Sequence, residues 1–286
     1  MSIPTWWEIE SYILFFIIKH EKNFDEKYKI KSSKDKDILF IFGSGSSLKN
    51  ISDNEWTLIE NHSDTMAFND FFKSEKIRID YHICREFSSL SLFKSRPILR
   101  HYFSSIFNFT HQRNCLNEIL SNSKYKFTKF IFHIDRRSGS AILFKMFSKN
   151  KIEILGYYSN CIDRRKVLPL SNNFKNIPHC SATLMDCIHI GFLLGYRNIV
   201  LAGVDLYNSD YFYLNENEVR QHDQKIGHEK KDIHKTAPHV INGLSEWLPL
   251  LTANNIHISI LNPNSLLNGI LPVFNLSILT LQKRKR

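Results

Sequence analysis

Ile38-Leu-Phe-Ile-Phe-Gly-Ser-Gly-Ser-Ser-Leu-Lys49 is the stretch that decides the fold. Its first five residues are all apolar, as in a strand buried on both faces of a parallel sheet. Gly43 and Gly45 then form a turn, and the cluster from Ser52 to Glu55 supplies residues that favour the start of a helix. Strand, glycine turn and helix in this order predict the opening of a βαβ unit.

The same alternation continues along the chain. Short apolar segments bounded by polar residues run over 64–68, 77–84, 127–133 and 151–155. A helical pattern over 182–196 contains Gly195 as a helix end and precedes an apolar strand at 198–203, and a helix at 240–252 precedes a last strand at 256–261. The pattern predicts an α/β fold that is Rossmann-like, with a mostly parallel sheet, helices on both faces and a lid insertion.

The chain divides into three predicted parts. Residues 1–36 hold an aromatic-rich start and a charged connector, 37–276 form one ligand-binding domain with a lid at about 208–238, and 277–286 are a basic tail. The start is either an amphipathic segment in a membrane interface, with Trp6 and Trp7 at headgroup level, or a helix packed on the domain's own core.

The composition fits a folded protein with an anionic partner. Hydrophobic residues make up 43% of the chain, and 38 Lys and Arg against 28 Asp and Glu give a net charge of +10. No nucleic-acid-binding motif is present. The five cysteines are scattered without a CxxC pair, which indicates a reduced, cytoplasmic protein and no zinc centre, and we expect no cleavable signal peptide.

Candidate binding residues follow the ends of the predicted strands, where open α/β sheets bind their ligands. The turn from Gly43 to Ser47 can present N–H groups and hydroxyls to a phosphate, although it matches neither the Rossmann glycine pattern nor a P-loop. Asn69 ends the second strand, and Arg85 and Glu86 end the third. The alternatives are an ordinary turn residue for Asn69 and solvated charges for the other two.

The lid carries tyrosine and histidine side chains. Tyrosine hydroxyls after the strand at 198–203 can donate to a phosphate without adding charge, and the candidates are Tyr207, Tyr211 and Tyr213. Histidines at 222, 228, 234 and 239 have spacings that match no ordinary zinc pattern. His239 stands where the lid meets the last long helix, which would give a general base a rigid support.

Several segments resemble the bacterial CMP-sialic acid sialyltransferases of glycosyltransferase family 42. The turn Phe42-Gly-Ser-Gly-Ser-Ser-Leu-Lys49 is similar to that family's early glycine turn. Later motifs match in the same order at Leu194-Gly195-Tyr196, Gly203-Val204-Asp205-Leu206-Tyr207 and Pro263-Asn264-Ser265-Leu266-Leu267. The chain departs from the family where Ser46 replaces a proline and where Arg85 or Glu86 occupies a strand-end amide position.

The resemblance implies an inverting, metal-independent glycosyltransferase that needs no cofactor and takes a CMP-sugar as its donor. Tyr207, with Tyr213 or Tyr211, would stabilise the departing phosphate, and His239, with His228 as second choice, would activate the acceptor. The donor sugar would be sialic acid or a related nonulosonic acid, and the acceptor an oligosaccharide or glycolipid of lipopolysaccharide or capsule type. The residues expected to hold the donor are Gly43, Ser44, Gly45, Ser46, Asn69, Ser181 and Asp205.

Two other functions stay open at this point. One is a Mg²⁺-dependent pyrophosphokinase acting on a nucleotide or pterin, with the metal held by Asp205 and by Asp210 or Asp223. The other is a non-catalytic, membrane-associated subunit of polysaccharide assembly. For the favoured function we expect a cytoplasmic enzyme, peripheral at the inner face of the membrane if residues 1–36 bind lipid, and a homo-oligomer is one option.

Overall fold

The computed structural model of the protein describes residues 36–85, 117–133, 154–157, 159–160, 174, 177–178, 182–215, 218 and 232–281. Seven strands form one sheet in which every neighbouring pair is parallel. A second, two-stranded sheet pairs β6 with β7. In chain order the strands are β1 Ile38–Phe42, β2 Asp64–Phe68, β3 Tyr81–Cys84, β4 Lys129–His133, β5 Ile154–Tyr157, β6 Ser159–Asn160, β7 Ile177–Pro178, β8 Asn198–Ala202 and β9 His257–Ile260.

The strand order of the large sheet places a switch point beside β1. The order is β5-β4-β3-β2-β1-β8-β9, so the chain builds outward from β1 to β5 and then returns to the other side of β1. The connections after β1 and β8 therefore lead away in opposite directions along the sheet. Open α/β sheets bind ligands at such a switch point, and we call this region the crevice.

The described part of the chain contains α1 Asp53–His62, α2 Thr183–Leu193, α3 Ala237–Ala253 and α4 Ser277–Leu281, and residues 117–121 are also helical. Helix α1 begins where the sequence predicts, because the Ser52 side chain and the Glu55 side chain cap each other's backbone N–H groups. Helix α2 is followed by Gly195 at φ 93°, the left-handed conformation that favours glycine at a helix end.

The core lies on both faces of the sheet. Alternate residues of β1 point to opposite sides, with Leu39 and Ile41 in the cluster that includes α2 and α3, and Phe40 in the cluster that includes α1. The strand is therefore apolar throughout because neither face meets water. Two histidines are enclosed in these cores, and burial lowers the pKa of His82 to about 3 and that of His189 to about 4.

The predicted fold class is confirmed: the protein has an α/β fold with a parallel sheet between helices. The element bounds differ by a few residues, as for β3, which begins at Tyr81 and not at Ile77. The segment predicted as a basic tail begins with α4, whose Leu279 is fully buried in the core, so the first residues after 276 belong to the domain.

Parts of three predicted segments lie outside the described residues. These are residues 1–35, residues 282–286 and, within the lid, residues 216–217 and 219–231. Within the described part of the chain, no helix combines the length and the apolar character needed to cross a bilayer.

Candidate active site at the carboxyl edge of the sheet

The glycine turn after β1 packs directly against the turn after β8. The Gly43 N–H donates to Ala202 O and the Gly45 N–H donates to Gly203 O, each at 2.8 Å. A Cβ atom on Gly43 would lie 2.4 Å from Gly203 O, and one on Gly45 would lie 2.4 Å from Asp205 Oδ2. Only glycine allows the two turns to approach this closely.

Two further backbone donors of the turn, those of Ser46 and Ser47, also bond within the protein. Ser46 N–H donates to Asp210 O at 3.1 Å, and Ser47 N–H donates to Asp205 Oδ2 at 2.9 Å. The turn leads into a five-residue 3₁₀ helix, Ser46–Asn50, and not directly into an α-helix. These hydrogen bonds hold the turn in place, and binding of a phosphate by the turn stays a prediction.

The turn also carries a buried hydroxyl group. Ser44 is 8% exposed, and its Oγ has no hydrogen-bond partner among the residues that the structure describes. Ser209, which is 1% exposed and lies in the loop after β8, also carries a hydroxyl without such a partner. Buried hydroxyls usually have partners, so these two suit a polar ligand in the crevice.

Asp205 joins three loops at the carboxyl edge of the sheet. Its carboxylate, 3% exposed, accepts the Ser47 N–H, the Ser47 hydroxyl at 2.5 Å and the Asn262 amide at 2.8 Å. These bonds join the turn after β1, the loop after β8 and the loop after β9. In this arrangement Asp205 positions the predicted donor-binding turn through bonds within the protein.

Residues 206–215, which we call the closing segment, lie across the glycine turn. Tyr211 forms an isolated antiparallel bridge with Gly45, and the Phe212 N–H donates to Ser44 O at 3.1 Å. Lys49 Nζ donates to Leu214 O at 3.0 Å. Tyr211, one of the predicted phosphate-binding tyrosines, is therefore brought to the predicted phosphate-binding turn.

The closing segment also reaches the end of β2. The Tyr213 hydroxyl donates to Asp70 Oδ2 at 2.5 Å, and Lys73 Nζ lies 4.1 Å from the centroid of the Tyr213 ring. Asn69 adopts φ 54°, a left-handed conformation that asparagine tolerates better than most residues. Asn69 follows β2 and the closing segment follows β8, so the two come from the strands on either side of β1.

His234 enters the site from the stretch before α3. Its backbone N–H donates to Leu206 O at 2.9 Å, and its ring Nδ1 lies 2.8 Å from Thr236 Oγ1. The ring Nε2 lies 3.4 Å from the Tyr211 hydroxyl. The imidazole is half-buried and is supported on both nitrogens.

His239, the histidine that the sequence favours as a base, has a different setting. It lies in the first turn of α3 with an exposed side chain, and its role stays a prediction. His228, the second choice, and Ser181 lie outside the described residues. Sequence reasoning passed over His234 because four histidines share one irregular stretch and no period separates them.

Acidic side chains do not gather for a metal in the part of the chain that the structure describes. No group of three or more His, Cys, Asp or Glu side chains is placed to hold a metal ion there. The Asp205 carboxylate is engaged with Ser47 and Asn262, and Asp223 lies outside the described residues.

Comparisons with known proteins return solved structures only. No family model and no curated protein matches the chain. The fold is similar to that of the α-2,3-sialyltransferase Cst-I from Campylobacter jejuni, at 17% identity with a TM-score of 0.45 over 85% of this chain and 82% of that one. It is similar to the sialyltransferase CstII from Campylobacter jejuni, solved with the substrate analogue CMP-3FNeuAc, at 17% identity with a TM-score of 0.48 over 83% and 86%.

Proposed function

We propose that this protein is a glycosyltransferase that moves sialic acid, or a related nonulosonic acid, from a CMP-sugar to a glycan acceptor. The observation that carries the proposal is the meeting of the glycine turn, Asn69, the closing segment and His234 at the switch point of the sheet. The resemblance to family 42 supplies the glycine turn, Asn69 and Tyr207, whereas His234 lies outside the matching motifs.

The base that we favour on geometry is His234. The Thr236 N–H donates to Nδ1 at 3.3 Å, so in this arrangement the ring proton lies on Nε2, which faces the Tyr211 hydroxyl. His234 acts as a base through Nε2 when that proton moves to Nδ1 and Nδ1–H donates to Thr236 Oγ1 instead. A base held in this way can remove a proton from an acceptor hydroxyl while that oxygen attacks the anomeric carbon of the donor. One displacement of this kind inverts the configuration at that carbon. His239 is the competing assignment.

The departing phosphate needs stabilisation, and the tyrosines of the closing segment can provide it. Tyr207 is half-buried, and its hydroxyl is proposed to donate to the phosphate as charge develops there. Tyr213 reaches a phosphate only if its hydroxyl leaves Asp70. Tyr211 lies beside the base and is the alternative partner. Hydroxyl donors in this place would make a metal ion unnecessary.

The net charge of +10 suits a donor with two anionic groups, because a basic surface raises the local concentration of anions.

The proposed acceptor is a glycan of lipopolysaccharide or capsule type, and the proposed location is in peripheral contact with the inner face of the cytoplasmic membrane. A homo-oligomer stays a prediction.

Nucleotide selectivity tests the proposal. Thermal unfolding of the full chain is followed with CMP, UDP, GDP or ATP, first in EDTA and then with Mg²⁺. We expect CMP to raise the melting temperature in EDTA more than the other nucleotides, since a ligand that binds only the folded state stabilises it. A response to ATP that requires Mg²⁺ would refute the transferase and favour a pyrophosphokinase.

A further inference from the structure

Three side chains from three elements meet beyond the glycine turn. Arg85 directly follows β3, Tyr157 is the last residue of β5, and Asp186 lies in the first turn of α2. Arg85 Nη1 and the Tyr157 hydroxyl each lie 2.8 Å from Asp186 Oδ2. All three elements end or begin at the carboxyl edge of the sheet, so the cluster shares that edge with the crevice.

Burial within the cluster is unequal. The Asp186 side chain is 0% exposed and Tyr157 is 0% exposed, whereas the Arg85 side chain is 18% exposed. The Asp186 carboxylate is thus fully enclosed, and the Arg85 side chain is the member of the ion pair that retains some contact with solvent. A ligand that arrives at this edge can reach Arg85 and not Asp186.

Stability does not explain the pair. Removing both charges from water costs about as much as their attraction returns, so a buried ion pair seldom adds net stability. What Asp186 and Tyr157 do is hold the guanidinium in one orientation. Burial alone would lower the pKa of Arg85, but the neighbouring Asp186 carboxylate and Tyr157 raise it overall, so the charge is retained.

The distance from Arg85 to the glycine turn matches the length of a nucleotide sugar. Strand β3 is separated from β1 by β2 alone, so Arg85 lies two strand spacings, about 10 Å, from the turn. Asn69, at the end of β2, stands between them. A donor whose phosphate lies at the turn can therefore reach Arg85 with its sugar.

We propose that Arg85 binds the carboxylate of the donor's acidic sugar and so determines the specificity for that class of donor. The inference rests on the proposed function and names the group that recognises its substrate. A guanidinium is planar and offers a fork of N–H donors that matches the two oxygens of a carboxylate. Asp186 and Tyr157 are positioning residues that aim this fork.

Calorimetric titration of the full chain tests the assignment with three ligands. These are CMP, the 3-fluoro analogue of CMP-N-acetylneuraminic acid, and the methyl ester of that analogue, in which the carboxylate is neutral. The variants are Arg85→Lys and the double variant Arg85→Met/Asp186→Asn, which removes both charges together and leaves no uncompensated buried carboxylate. Arg78→Lys is the matched control, because Arg78 pairs with Asp80 on the surface ahead of β3, at the opposite edge.

Both Arg85 variants should bind the acidic analogue at least about tenfold more weakly than the wild type, since a charge-assisted hydrogen bond is lost. Their affinity for CMP should stay within about twofold, and the ester should not distinguish them from the wild type. Unchanged binding of the analogue overturns the proposal. An equal loss for CMP also overturns it, because Arg85 would then recognise the phosphate. A wild type that binds neither CMP nor the analogue overturns the proposed function itself.

Discussion

Asp205→Asn is the substitution that most sharply tests how the crevice is held. The carboxylate accepts three hydrogen bonds, from the Ser47 N–H, the Ser47 hydroxyl and the Asn262 amide. Asparagine keeps the shape of the side chain but replaces one carboxylate oxygen with an NH₂ group and removes the charge. At 3% exposure, water cannot substitute for the lost acceptor.

The magnitude follows from the three bonds. Each of them changes from a charge-assisted bond to a neutral one at best, a loss of about 1 kcal/mol, so the free energy of unfolding should fall by about 2–3 kcal/mol once the Asn262 amide is allowed to turn over. For a chain of this size the melting temperature should fall by about 5–10 °C. The affinity for CMP should fall as well, because the glycine turn loses the acceptor that positions it.

Urea unfolding monitored by circular dichroism measures the effect. Asp53→Asn is the control, since it removes an ion pair with Lys76 whose side chains are 60% and 85% exposed, and such a pair contributes at most about 1 kcal/mol. A loss for Asp205→Asn no larger than that of the control would refute the reasoning.

Three further substitutions give independent tests. Gly45→Ala places a Cβ atom 2.4 Å from a carboxylate oxygen and should destabilise the fold by about 1–3 kcal/mol in urea, whereas Gly269→Ala, which meets nothing within 4 Å, should change little. Below pH 6.5 the unfolded chain protonates His82 while the folded protein does not until about pH 3, so stability falls as the pH falls. Between pH 7 and pH 5 the free energy of unfolding of His82→Phe should therefore fall by about 2 kcal/mol less than that of the wild type. An equal fall in both proteins contradicts this. Tyr207→Phe should lower kcat about 10- to 100-fold with the melting temperature unchanged, and full activity would exclude the hydroxyl from catalysis.

Strand β1 and the glycine turn after it could be predicted from sequence because local signals and tertiary structure agree there. An all-apolar run is compatible only with burial on both faces, and the glycines are required by the close approach of Gly203. The capping of α1 and the left-handed Gly195 likewise depend on neighbouring residues alone. The local sequence is therefore sufficient to predict these features.

The details of the site depend on residues far apart in the chain, which a sequence pattern does not reveal. The bonds of Asp205 come from Ser47 and Asn262, and the bond that aligns Arg85 comes from Asp186. The short 3₁₀ helix after Ser46 also escaped prediction, since its donors are satisfied by Asp205 and by the closing segment. Only the strand order brings these partners together.

Release of CMP from CMP-N-acetylneuraminic acid, measured in EDTA with a panel of glycan acceptors, tests the central claim most directly. Wild type and His239→Ala should release CMP at similar rates, and His234→Ala should be slower by about 100-fold or more while it still binds CMP. Release that is lost in His239→Ala but retained in His234→Ala would reverse the assignment of the base. Absence of release by the wild type with every acceptor, and of slow hydrolysis without one, would contradict the account as a whole.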